Sequence, residues 1–300
     1  MNRRRSMSRF RKIFIPILLL VLLAGCAPND LSIRTLYSRL DNTIYKNTLA
    51  YANFTPDQRE WIKSAAREFQ LWHRANELPA YAELAEDLAS RLEQGGSFSR
   101  EEVLDWFDTL EGLSDRSYVQ LPLSRSVDVL STLTDEQVAE IEATMQSQNA
   151  EQLARIREQE SSDSNAGRIE RLDRSLSRMG LSLNDEQRQI VDRGMRRYEG
   201  SRKDRVAVWS QWQAEFVTLL RARNDPGFEE AMASHIAVYR AQMEIQYPER
   251  SRRNTENAAQ TVAELLNSIT PDQRAEMIKR LRKTGDVLAA MATSEQTTIL

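Results

Sequence analysis

Three kinds of side chain in this sequence have the type and spacing for chemistry. His73 and Glu77 stand four residues apart in Trp72-His73-Arg74-Ala75-Asn76-Glu77-Leu78-Pro79-Ala80-Tyr81. On a helix they share a face, where an imidazole and a carboxylate can meet or hold a metal ion. His235 is the only other imidazole and no His-Glu-x-x-His motif exists, so no metal is expected. Glu101, Glu102, Asp105 and Asp108 crowd one short stretch. Paired carboxyls cleave glycosides only when they flank a cleft and one has a raised pKa. Helix-start and surface roles account for these four more simply. The third kind is the single thiol, Cys26. One cysteine excludes a disulfide framework, a cysteine-based zinc site and an iron–sulfur cluster. Gly-x-Ser-x-Gly, P-loop and dinucleotide motifs are missing. The expectation is therefore a protein that is not an enzyme, with no catalytic residue and no cofactor.

Cys26 has a distinctive setting. Arg3, Arg4, Arg5, Arg9, Arg11 and Lys12 precede it without any acid, and Ile13 to Ala24 is apolar apart from Pro16. A membrane span needs about 20 apolar residues, so this shorter run reads as a secretory signal. It ends in Leu23-Ala24-Gly25-Cys26, which resembles the bacterial lipobox. Small residues at 24 and 25 let a peptidase approach the backbone, and a thiol is the nucleophile that lipid transfer needs. The resemblance implies cleavage between Gly25 and Cys26, a diacylglycerol on the thiol and a further acyl chain, such as palmitate, on the freed amine. Three chains exceed what stable membrane attachment requires. Ala27, not Asp, follows the cysteine. By resemblance to enteric lipoprotein sorting, that implies the outer membrane, with the body on the periplasmic side.

The whole chain carries 41 Lys+Arg and 44 Asp+Glu, a formal charge of −3. Removing residues 1–25 takes away six cations and no acid, leaving −9. Nucleic acid is not an expected partner of so acidic a body. The membrane, through the N-terminal lipid, and an envelope protein are.

The elements that must position these groups are helical. Gly (10) and Pro (8) are scarce in 300 residues, against roughly 7% and 5% in ordinary proteins. Ile33, Leu36, Tyr37, Leu40 and Ile44 fall on one helical face; so do Trp61, Ala65, Phe69 and Trp72, and Trp209, Trp212 and Phe216. No alternating strand pattern competes, so an all-α, multi-helix bundle without a sheet is expected. Helices are expected over 31–51, 56–76, 79–94, 100–112, 116–131, 135–160, 167–179, 185–223, 227–246, 250–268 and 271–291. Pro79 should open a new helix, and Gly194 and Gly200 weaken the long 185–223 segment. The organisation is a signal peptide (1–25), a lipidated tether (26–30), a helical domain (31–292) and a frayed tail (293–300). One elongated domain, or two sub-bundles meeting at the polar stretch 161–167, fits equally well.

One signature punctuates the chain. Phe54-Thr55-Pro56-Asp57-Gln58, Leu133-Thr134-Asp135-Glu136-Gln137, Leu183-Asn184-Asp185-Glu186-Gln187 and Ile269-Thr270-Pro271-Asp272-Gln273 share it. Each has an apolar residue, an N-cap side chain, acids, and Gln three residues after the cap. Phe98-Ser99-Arg100-Glu101-Glu102 is a looser fifth. This is the capping box, in which cap and N3 side chains satisfy each other's backbone N–H. Leu133 and Val138 fit a hydrophobic staple. The unequal spacings rule out a regular solenoid.

Trp-His-Arg-x-x-Glu-Leu-Pro-x-Tyr at 72–81, behind a lipobox and a Thr-Pro-Asp-Gln helix start, resembles an uncharacterised family of proteobacterial lipoproteins. That likeness implies an exported, lipid-anchored helical protein and supplies no activity. It makes Trp72, His73, Arg74, Glu77, Leu78, Pro79 and Tyr81 a candidate interaction motif. The bland alternative is that Trp72 and Tyr81 pack a corner while His73, Arg74 and Glu77 satisfy its backbone. Leu133-Thr134-x-x-Gln137 also resembles the helix starts of Spy-type periplasmic chaperones, which are much shorter.

A protein-binding or scaffold role is expected, with a chaperone or envelope-stress factor as the alternative and a cell-wall enzyme behind both. The basic run Arg193, Arg196, Arg197, Arg202, Lys203 and Arg205 is expected to be a solvated face laced with Glu199 and Asp204. Replacing Cys26 by Ser removes the acyl acceptor. Metabolic labelling should find palmitate on the wild-type chain and none on Cys26→Ser, which should also keep its leader; equal label on both would refute the anchor.

Overall fold

The structure, a computed structural model, describes residues 30–120, 123–162, 165–178, 182–200, 202–239 and 241–293. The signal peptide, Cys26 and most of the tether lie outside these residues, as do part of the 161–167 stretch and residues 294–300. Thirteen helices and no strand occur among the described residues. They are α1 (Asp30–Tyr37), α2 (Leu40–Leu49), α3 (Pro56–Gln94), α4 (Arg100–Gln120), α5 (Leu123–Ser131), α6 (Asp135–Ser162) and α7 (Asn165–Arg178). Then follow α8 (Asp185–Arg197), α9 (Arg202–Arg221), α10 (Phe228–Ala237), α11 (Gln242–Gln246), α12 (Pro248–Asn267) and α13 (Pro271–Thr293). The fold is all-α. No helix among the described residues is long and apolar enough to cross a membrane.

The strut of the molecule is α3, 39 residues and about 58 Å long at 1.5 Å per residue. Its N-terminal half enters a first core with Phe54, Ile62, Leu133, Ile141, Leu220 and Met232. Its C-terminal half enters a second core with Leu78, Leu88, Val103, Leu266, Leu281 and Leu288. Each core draws residues from both sides of 161–167. Against the second half of α3 lies α13. Ala85 and Ala89 are fully buried there, and a Cβ on Gly285 would come within 3.2 Å of the Ala82 carbonyl oxygen. Small residues let these two backbones approach.

Several expected boundaries move. The helices expected at 56–76 and 79–94 are one, and Pro79 sits inside α3. Proline cannot donate to the carbonyl four residues back, but that carbonyl belongs to the exposed Ala75, where water can bond it. Leu78 and Tyr81, buried on either side of Pro79, hold the helix on course. Conversely, the expected 185–223 helix divides into α8 and α9. Gly200 has φ +97°, a left-handed conformation that costs glycine little. Asn254 clamps the break, accepting from the Glu199 N–H and donating to the Glu199 carbonyl, both at 2.8 Å. Gly194 stays helical: a Cβ there would collide with the Thr261 side chain, so glycine allows close packing of α8 on α12. The expected 31–51 and 227–246 helices also divide, at Ser38–Arg39 and after Ala237. The expected break at 113–115 lies within α4.

The capping boxes do more than start helices. Thr55, Thr134, Asn184 and Thr270 each accept from the N–H of the glutamine three residues on, and that glutamine's Oε1 accepts from the cap N–H. The glutamines then pair. Gln58 Nε2 donates to Gln137 Oε1 at 3.2 Å, and Gln137 Nε2 returns to Gln58 Oε1 at 2.8 Å. Gln187 and Gln273 repeat this at 2.8 and 3.1 Å. Each amide's second proton goes to the carbonyl two residues before the partner's cap: Thr132, Asn53, Ser268 and Ser182. Every glutamine thus uses two donors and accepts twice. Glutamate would cap equally well but has nothing to donate. The looser fifth start illustrates this: Glu102 N bonds Ser99 Oγ, and the Glu102 carboxylate pairs with Arg91 instead.

Gln187→Glu keeps the shape and the capping acceptor, removes both donors, and sets a buried carboxylate against Gln273 Oε1. It should lower stability by about 3 kcal/mol in urea unfolding. An unchanged midpoint would mean that the pair holds nothing together.

Candidate functional site

Residues 72–81 lie mid-helix in α3, not at a corner, and serve mainly to build the interior. Glu77, Leu78 and Tyr81 are buried; Trp72, His73 and Arg74 are half-buried; Pro79 is exposed. A surface interaction motif needs the opposite pattern for its buried members. What they build is a joint between α1 and α3. The Tyr37 hydroxyl donates to the Gln70 carbonyl at 3.2 Å and lies 3.1 Å from His73 Nδ1. Gln70 Nε2 returns to the Tyr37 carbonyl at 2.6 Å. The phenol has one proton; given to Gln70, it leaves an oxygen that accepts from the Nδ1–H tautomer of His73.

The His73 ring sits 5.6–5.9 Å from the rings of Phe69, Tyr37 and Tyr81. Burial among them lowers its pKa to about 4 and pushes the Tyr37 phenol up. An imidazole so disposed to stay neutral, with Nδ1 engaged, holds α1 down. Glu77 is 1% exposed, and its Oε1 lies 3.4 Å from Arg116 Nε on α4. Burial raises its pKa, which the Arg116 charge partly offsets. His73 and Glu77 thus face Tyr37 and Arg116, and their one-turn spacing serves two separate joints.

The other chemical candidates are similarly engaged. His235 stacks on Trp212 at 4.6 Å and 11°, its Nε2 3.0 Å from the Trp212 carbonyl, while Trp212 Nε1 donates to the His235 carbonyl at 3.1 Å. Glu101 pairs with Arg100, and Asp105 and Asp108 are exposed on α4. Among the described residues no group of three His, Cys, Asp or Glu could hold a metal. In the basic run Arg196 pairs with Asp192, and Arg193 and Arg197 approach Glu264. Glu199 and Asp204 are taken by Arg253 and Arg250 from α12.

An apolar cavity of about 300 Å³ beside the first core is the feature that sequence reasoning missed. Its walls come from α2 (Ile44, Thr48), α3 (Trp61 to Phe69), α5, α6 and Phe216 of α9. On α3 the stripe Trp61-Ala65-Phe69 was legible as a core face. Its small member Ala65, with Ala66 beside it, lines the space. Two hydroxyls border the cavity, and each gives its proton within the protein: Thr48 Oγ1 donates to the Ile44 carbonyl and Tyr51 OH to Gln148 Oε1. The cavity therefore offers apolar contact and little else, in a volume at the low end of ligand pockets.

His73 yields a pH signature. Its pKa is lower folded than unfolded, so the unfolded chain binds the proton more tightly between about 4 and 6.5. Stability should fall as pH drops through that window, by up to about 3 kcal/mol, and stay flat above it. Glu77, with its raised pKa, contributes the opposite slope. His73→Gln should remove the His73 contribution; identical stability–pH curves in thermal melts would show that the ring is not buried as described.

Residues 50–248 match the model of a family of unknown function (DUF6279). The match takes in the 72–81 segment, the cavity walls from Tyr51 onward and three of the four glutamine-bearing helix starts. No curated protein and no solved structure matches the chain. A match from residue 50 to residue 248 covers more than half of the chain, which belongs to the family of unknown function DUF6279.

Proposed function

We propose that this is a lipid-anchored outer-membrane lipoprotein, facing the periplasm, whose helical body binds another envelope protein and catalyses no reaction. The observation that carries this reading is how the reactive groups are spent. His73, Glu77 and His235 hold helices together, whereas large apolar side chains such as Leu71, Tyr198 and Ile245 stand exposed on the body. Recognition by apolar contact needs such surface and no nucleophile. The lipobox-like Leu23-Ala24-Gly25-Cys26 supplies the anchor in this reading. The chaperone alternative drew on the Thr-x-x-Gln starts. In this fold those glutamines bond one another, which leaves them no part in holding a client.

Photocrosslinking in living cells tests the proposal. The exposed positions Leu71, Ala75 and Pro79 of α3 suit a crosslinking residue, because the buried ones would disturb the core. One discrete protein adduct is expected. A smear of many unfolded envelope proteins would favour the chaperone, and no adduct from any exposed face would sink the binding role.

A further inference from the structure

We infer that the cavity between α2, α3 and α6 takes one acyl chain of a bilayer lipid. Its chemistry is read from the walls. Ile44, Ile62, Phe69, Ile141 and Met145 present carbon, and the two bordering hydroxyls already have partners. A polar ligand would exchange its water for walls that are overwhelmingly carbon, whereas a hydrocarbon chain loses only its unfavourable hydration. The volume of about 300 Å³ suits a slim chain and leaves no room for a lipid headgroup, which must stay outside. The position also fits. Asp30 lies four positions after Cys26, a reach of at most about 14 Å. The eight-residue α1 adds about 12 Å. It ends at Tyr37, bonded to Gln70, next to Phe69 in the cavity wall. A body held by Cys26 keeps this cavity within a few nanometres of the bilayer. The source of the ligand thus rests on the anchored reading above; the apolar chemistry of the site does not.

The experiment uses the full chain in its own cells. Cells are fed a diazirine-bearing fatty acid, which enters their lipids, and are irradiated. The purified protein is then mapped by mass spectrometry. Lipid adducts are expected on peptides holding Ile44, Trp61 and Met145. Ala65→Trp fills the cavity from the strut, and Thr48→Phe fills it from α2 with less risk to folding, since the Thr48 hydroxyl bonds only within its own helix among the contacts described. Both should cut those adducts about tenfold, a loss of about 1.4 kcal/mol in binding. Wild-type expression and melting must accompany the loss.

Cavity peptides without adducts, or adducts undiminished in a folded Thr48→Phe chain, would overturn the inference. So would a cross-link joining the Cys26 peptide to a cavity peptide, because the occupant would then be the protein's own anchor. Cys26→Ser separates the two readings. If wild-type Cys26 carries no acyl group yet cavity adducts form, the anchor fails and the acyl site stands.

Discussion

Two glutamine pairs, one buried and one partly buried, hold this fold in register. Each pair joins the starts of two helices distant in sequence: α3 to α6 through Gln58 and Gln137, α8 to α13 through Gln187 and Gln273. A primary amide is the side-chain group that can accept from its own cap N–H and from its partner while also donating twice. In a buried setting each of those bonds is costly to leave unmade, so the pair is an all-or-none contact. Such a contact specifies where two helices begin relative to one another, which apolar packing alone leaves adjustable.

The rest of the architecture follows from these fixed starts. Once α3 begins beside α6, its length carries it out of the first core and into the second, where α13 lies along it. The second glutamine pair sets the start of α13, so the two joints are connected through the strut. Close approach then depends on residues without bulk: Ala85, Ala89 and Gly285 between α3 and α13, and Gly194 against Thr261 between α8 and α12. Small side chains at Ala65 and Ala66 also line the cavity where α2 crosses α3.

Reactive side chains here are structural. His73 is neutral among aromatic rings and Glu77 is buried against Arg116; each ties a neighbouring helix to the strut. An imidazole of low pKa and a desolvated carboxylate often mark catalysis. Here each has its own partner, Tyr37 for His73 and Arg116 for Glu77, and His235 is stacked on Trp212. In the proposed reading the functional weight shifts from polar chemistry to apolar surface.

Much of this was legible in the chain itself. Helical class, the four capping boxes, the Leu133–Val138 core contact and the Trp61-Ala65-Phe69 stripe follow from side-chain period and from local bonds spanning three or four residues. The helix interruption expected at Pro79 was not met, because local backbone preference at one proline is weaker than the burial of Leu78 and Tyr81 beside it. Gly200 was flagged as a weak point and is a break, since its left-handed φ expresses the same local freedom. By itself the sequence determined what each segment does over one or two turns. Only the tertiary structure decided which glutamine meets which, that His73 faces Tyr37 and Glu77 faces Arg116, and that two alanines line a cavity. Those outcomes depend on contacts between residues tens to hundreds of positions apart, and no periodicity within a segment encodes its partner.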